Sequence, residues 1–128
     1  MMIRFPWNKP PEGKTVYWFE IEHLLAPYAH QGLPQACSDL SYLLPYDPAA
    51  LIRRSGAHKL NPIPEKRDCN HFVDALRGWL AKKGWGVFCA HVRLYDHAVA
   101  GFIRGGRLEL WDVQMVCRID GEILGVWV

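Results

Sequence analysis

One amphipathic run, Cys69 to Lys83, followed by nothing but strand-like sequence, fixes the kind of fold open to this chain. Cys69, Phe72, Val73, Leu76, Trp79 and Leu80 share one face at helical spacing, Asp74, Arg77 and Lys82 lie elsewhere, and Gly84 ends the run. Asp68, immediately upstream, can cap the helix with its carboxylate. Trp85 to Leu94, His97 to Ile103, Arg107 to Asp112 and Val113 to Val128 then read as β, with turns at Tyr95-Asp96, Gly105-Gly106 and Asp120-Gly121. The expected class is α+β, with a central helix carrying Cys69 packed on a C-terminal antiparallel sheet.

Upstream of the helix the signals are weaker. Residues 1–14, with Pro6, Pro10, Pro11 and Gly13, read as an irregular lead-in, and residues 15–128 as a single domain. Trp18, Ile21, Leu24 and Leu25 suggest a helix within Val16 to Ala26, stopped by Pro27. From Tyr28 to Tyr46, Gly32, Pro34 and Pro45 break the chain, so a surface wrap with one short helical turn is expected. Asp47 as N-cap, Pro48 at the first helical position and Gly56 as a stop frame a short helix.

In 128 residues, half hydrophobic and 22% charged, there is material for one core and no second domain. The net charge of +2 leaves only short basic clusters, Arg53-Arg54, Lys66-Arg67 and Lys82-Lys83, which argues against a nucleic-acid surface. The opening residues lack the apolar core of a signal peptide, and no run is long enough to span a membrane, so a cytoplasmic protein without a membrane partner is expected. Four cysteines, Cys37, Cys69, Cys89 and Cys117, need not pair in that compartment. Cys89 and Cys117 lie in strand-like runs and read as buried thiols.

Chemistry concentrates on Cys69. A thiol in the first turn of a helix sits at the positive end of the backbone dipole, among unpaired amide donors, where a nucleophile and an oxyanion are both favoured. If His97 to Ile103 and Arg107 to Asp112 form a hairpin turning at Gly105-Gly106, then His97 and Asp112 end at the same edge of the sheet. Cys69 would be nucleophile, His97 base and acid, and Asp112 the group that fixes the imidazole through Nδ1. Against this stand plainer roles: a buried structural thiol, a strand-edge histidine and a turn-holding carboxylate. Asp68, Asn70, Tyr42 and Gln114 are secondary, orienting candidates. A further oxyanion donor would come from Ser38 to Tyr42. His71 lies about 200° around the helix from Cys69 and reads as a surface residue. Cys69-x-His71 with Cys89-x-His91 could be counted as zinc ligands, but on a helix the first pair cannot share a face, so neither metal nor cofactor is expected.

The combination Asp68-Cys69-Asn70-x-Phe72, His97-Ala98-Val99 and Leu110-Trp111-Asp112-Val113-Gln114 resembles the papain-like and transglutaminase-like cysteine peptidases. More narrowly it is similar to the cysteine-peptidase domain of certain mushroom agglutinins and to small related proteins of bacteria and phages. Tyr42-Leu43-Leu44-Pro45 also resembles the segment preceding the cysteine there, so the match runs from Tyr42 to Gln114. Asn70 departs from the usual acidic residue after the cysteine, and Val113 from the proline before glutamine. The calcium dependence of the agglutinin enzymes needs carboxylates that this sequence does not place, and is not carried over.

The resemblance implies a papain-like fold and a small thiol hydrolase, a peptidase or amidase working through an acyl-enzyme on a polypeptide or small acyl substrate. A protein partner or a homodimer would complete its shallow cleft. The alternative is a non-catalytic papain-like binding module, such as a phage-borne inhibitor or accessory protein acting on a host protein. In either case the setting implied is the cytoplasm of a bacterial or phage-infected cell.

Overall fold

The computed structural model describes residues 9–32, 40–60 and 69–128. In chain order these form β1 (Gly13–Tyr17), α1 (Trp18–Leu25), β2 (His30–Gln31), β3 (Ser41–Pro45), α2 (Pro48–Ser55), a 3-10 turn (Ala57–Lys59) and α3 (Cys69–Lys83). There follow β4 (Ala90–Arg93), β5 (Ala98–Arg104), β6 (Arg107–Asp112), β7 (Cys117–Arg118) and β8 (Gly125–Trp127). The fold is α+β, as expected, and α3 packs on β5 and β4.

The strands lie in the order β2-β8-β4-β5-β6-β7, antiparallel except for β2 beside β8, while β1 and β3 make a separate antiparallel ribbon. The central strand explains the layering. From Ala98 to Ile103, β5 is buried at every position, the pattern of a strand covered on both faces. Val99 and Ile103 pack with Trp18, Ile21 and Leu25 of α1, whereas Ala98, Ala100 and Phe102 pack with Leu51, Phe72 and Leu76 of α2 and α3. The sheet is therefore the shared wall of two cores. Gly101 is required on the α1 side, because a Cβ there would stand 2.7 Å from Val92 Cγ2 and 3.0 Å from Leu108 Cδ1.

The β5–β6 hairpin turns where the sequence says it should. Gly105 and Gly106 have φ of 57° and 73°, with Arg104 paired to Arg107, the two left-handed central positions that a tight hairpin demands. Helix α2 is likewise framed by its local signals: Asp47 Oδ1 accepts the Ala50 N–H at 3.1 Å, Pro48 opens the helix and Gly56 closes it at φ 73°.

Three expectations are corrected. Within Val16 to Ala26 the helix starts only at Trp18, because Val16 and Tyr17 are taken into β1 by pairing with Tyr42 and Ser41. The same pairing makes Ser41–Pro45 a strand where a loose wrap was expected; Pro45 sits at its end, opposite Gly13. Val113 to Val128 holds only β7 and β8, with a turn before β7 and an irregular stretch between the two strands. No helix among the described residues is long and apolar enough to cross a membrane.

Candidate functional site

Two places on the described chain collect polar chemistry. The first is the thiol cluster. Cys69 is the opening residue of α3 and half-buried, and its Sγ accepts the backbone N–H of Ala98 at 3.2 Å. That contact ties the helix start to the residue that follows His97. The His97 ring then reaches Asp112, Nε2 to Oδ2, at 2.8 Å. The expected juxtaposition of the two strand ends is present, but the carboxylate meets Nε2 and not Nδ1. Nδ1 is thereby the ring nitrogen left for another partner.

Asp112 is held from its other side as well: its Oδ1 accepts the Met115 N–H at 2.9 Å, closing a side-chain turn into β7. One residue on, Val116 has φ 51°, the one non-glycine residue in the left-handed region among those described. A β-branched residue there costs about 1–3 kcal/mol. The β6–β7 connection is thus a strained loop presenting a doubly bonded carboxylate.

The secondary candidates are scattered. Asn70 follows Cys69 on α3 and is half-buried; Gln114 is exposed in the turn after β6. Tyr42 packs against Trp18 and Phe88 in the α1-side core, whereas Cys69 packs on the other core. Asp68, Cys37 and the first two residues of the stretch assigned to an oxyanion donor, Ser38 and Asp39, lie outside the described residues. His71 is exposed, as its helical position requires.

The remaining thiols differ from one another. Cys117 is exposed, contrary to expectation, because β7 is a two-residue edge strand with both side chains outward. Cys89 is buried as expected, and that burial pushes its thiol up to about 12 from an ordinary 9.0, against a smaller downward pull from Arg77. Arg77 Nε donates to the Cys89 carbonyl at 3.1 Å. His91 pairs with Asp74 at 3.2 Å, bridging β4 to α3. Among the described residues no group of three or more acidic, histidine or cysteine side chains is arranged to hold a metal.

A pH prediction follows from Cys89. Below pH 9 the folded and unfolded thiols both keep their proton, so the shift has no effect on stability. Above it the unfolded thiol ionises while the folded one stays neutral to about pH 12. Stability should therefore fall as pH rises through that window, by about 1.4 kcal/mol per pH unit from this group. Urea midpoints compared across it should fall less steeply for Cys89→Ala; equal slopes would remove the thiol from the alkaline limb.

The second place is a cleft of about 750 Å³ between the β1–β3 ribbon, α1 and the Gly105-Gly106 turn. Its rim carries Lys14, Arg104, Arg118, Glu20 and Glu109, and its floor is apolar. The Glu109 side chain is only 10% exposed. Its Oε1 accepts Arg104 Nη1 at 2.9 Å and Trp111 Nε1 at 2.8 Å, and Arg118 Nη2 lies 3.7 Å from its Oε2. Sequence reasoning missed this cleft. Lys14 was assigned to the lead-in, and nothing along the chain announces that β1, β6 and β7 bring their charges to one rim.

No protein-family model matches the sequence, and no curated protein is similar to it. Solved structures are similar in fold. A lectin of Polyporus squamosus, bound to the human-type influenza-binding epitope Neu5Acα2-6Galβ1-4GlcNAc, superposes with a TM-score of 0.74 at 15% identity, over 89% of this chain and 49% of the lectin. PSL1a in complex with E64 superposes with a TM-score of 0.71 at 15% identity, over 89% of this chain and 51% of that one. The chain thus spans about half the length of these neighbours.

The first of these neighbours is named as a lectin and neither as a peptidase, so the expected papain-like or transglutaminase-like peptidase, with its thiol hydrolase, its papain-like protein-binding alternative and its polypeptide or acyl substrate, is not carried forward. The expectation rested on a few short motifs, and a thiol, an imidazole and a carboxylate can come together on more than one fold. What the comparison carries for this chain is its fold.

Proposed function

We propose that this chain is a carbohydrate-binding module. The observation that supports the reading is its similarity, along nearly nine-tenths of its length, to a lectin whose ligand is a sialylated trisaccharide. Glycan recognition needs concave surface with a few fixed polar groups beside apolar area, and the cleft beside the Gly105-Gly106 turn supplies both. The test is titration of the chain with Neu5Acα2-6Galβ1-4GlcNAc and with Galβ1-4GlcNAc, followed by calorimetry or ligand-observed NMR. Saturable binding of at least one is the expected result. Absence of binding to both at millimolar ligand would remove the reading.

A second reading concerns a different place and is favoured by a separate observation, the contacts from Cys69 to Ala98 and from His97 to Asp112. In it Cys69 is a reactive thiol, His97 the base that takes its proton, and Asp112 the group that orients the ring. The two readings are independent and are tested separately.

A further inference from the structure

We infer that the end of the molecule where α2 and α3 finish is a binding surface for a sulfated polysaccharide, met by Arg53, Arg54, Lys82 and Lys83 around the Trp79–Trp85 pair. This surface lies on the α2–α3 side of the sheet, whereas the cleft described above opens among residues of the α1-side core. It stands on charge placement and ring contacts, independently of what the cleft binds.

The net charge of +2 conceals a segregation along the chain. Residues 48–60 and 75–95 contain no aspartate or glutamate, so every acidic side chain lies outside the two stretches that end α2 and α3. The fold brings those ends together: the Arg54 guanidinium stands 5.0 Å over the Trp85 ring, and Lys83 Nζ stands 5.6 Å over the same ring. Lys82 is exposed beside Trp79 on the last turn of α3, and Arg53 is exposed on the last turn of α2. A helix C-terminus favours cations, which accounts for each basic pair by itself. It does not account for two pairs gathered around one indole, where like charges repel. Arg54 also donates to the Lys9 carbonyl at 2.9 Å and lines a cleft with Glu12 and Asp47, of which Asp47 caps α2. Arg53, Lys82 and Lys83 have no ion pair among the described residues. An external polyanion would answer all of them at once through charge-assisted hydrogen bonds.

The rings decide which polyanion. Trp79 and Trp85 meet edge to face, with centroids 5.5 Å apart, and Lys83 Nζ stands 5.3 Å over Trp79 as well. Each ring therefore already carries a cation, and the pair serves to hold the cations in place. It is not an open platform for the bases of a single-stranded nucleic acid, which bind such surfaces by stacking. Nor is it a bilayer anchor: both indoles are half-buried, and none of the exposed large apolar side chains belongs to α2 or α3. What faces outward is a short, fixed array of guanidinium and ammonium groups. A flexible chain bearing sulfate esters suits it, since several permanent anions can settle on so small an area without a stacking partner or an apolar insertion.

The experiment titrates the native chain with dextran sulfate and with unsulfated dextran by calorimetry, maps the amide shifts by NMR, and runs a double-stranded DNA oligonucleotide and phosphatidylglycerol vesicles in parallel. Dextran sulfate should bind, more weakly as salt is raised, and should move the Gly56 and Gly84 amides at the two helix ends; dextran should not bind. Lys82→Glu and Arg53→Glu should each weaken binding about fivefold or more, at unchanged thermal midpoints. Lys82→Gln, which puts no acid at the helix C-terminus, should fall between Lys82→Glu and the native chain. Lys14→Glu changes the net charge by the same amount on the other side of the sheet and should alter the affinity by less than about twofold. Equal losses from Lys14→Glu and Lys82→Glu, equal binding of dextran, or no binding at all would overturn the surface. Tighter binding of the oligonucleotide or the vesicles through the same residues would overturn the choice of ligand. Each of these results leaves the sugar titration of the cleft to be decided by itself.

Discussion

Phe102→Ala should lower the unfolding free energy by about 3–5 kcal/mol and the thermal midpoint by roughly 10–20 °C. Phe102 is 0% exposed in the middle of β5, and its ring belongs to the core that α2 and α3 close over the sheet. The neighbouring strands hold the β5 backbone through pairings with Glu109 on one side and Ala90 to Arg93 on the other, so the sheet cannot collapse into the space a deleted ring leaves. Transfer and cavity costs therefore add. Phe19→Ala is the control: its ring is 56% exposed on α1, and a surface truncation of this kind should move stability by about 0.5 kcal/mol or less. Denaturant unfolding of both variants checks the contrast. Comparable losses would mean that the two-core layering misassigns the load.

The second large effect concerns the thiols. With iodoacetamide near neutral pH, Cys69 and Cys117 of the native chain should be alkylated and Cys89 should not, since it is buried with its thiol pushed up to about 12. Peptide mapping separates the four cysteines of the chain. Cys117 is exposed on the edge strand β7, across from Asp112, and its rate serves as an internal reference. His97→Ala should slow Cys69 about tenfold or more against that reference, and Asp112→Asn should slow it less, since it leaves the imidazole in place and removes only its anchor. Simple steric exposure predicts the opposite sign, because trimming the ring opens access to the sulfur. A Cys69-to-Cys117 ratio unchanged by His97→Ala would reduce Cys69 to a structural thiol.

The elements legible in the sequence were those decided locally. Asp47, Pro48 and Gly56 frame α2 by their own side chains and backbone preferences, and Gly105-Gly106 dictates a two-residue turn and with it the register of β5 against β6. Helix α3 announced itself by period and by Gly84. The meeting of His97 with Asp112 could be foreseen because one hairpin carries both. What escaped was decided at a distance. Ser41–Pro45 is a strand only because Gly13–Tyr17 lies beside it, and a ribbon joining segments so far apart leaves no mark in either alone. The cleft has the same origin, as Lys14, Glu109 and Arg118 are neighbours through tertiary pairing. The choice of Nε2 over Nδ1 at His97 depends on ring rotation, which spacing along a strand does not encode. The family expectation lacks support for a different reason. A handful of motif residues specifies local chemistry and leaves the arrangement of the whole chain open.

The strand order carries one more consequence. Both borders of the six-stranded sheet, β2 and β7, are two residues long, so neither offers an intruding chain more than a short row on which to add. The segment with the strongest tendency to stack, Ala98-Val99-Ala100-Gly101-Phe102-Ile103, free of charge and proline, lies between two other strands and under helices on both sides. Aggregation is thereby guarded by position: the sticky sequence is sealed at the centre, and its release requires the whole sheet to come apart first.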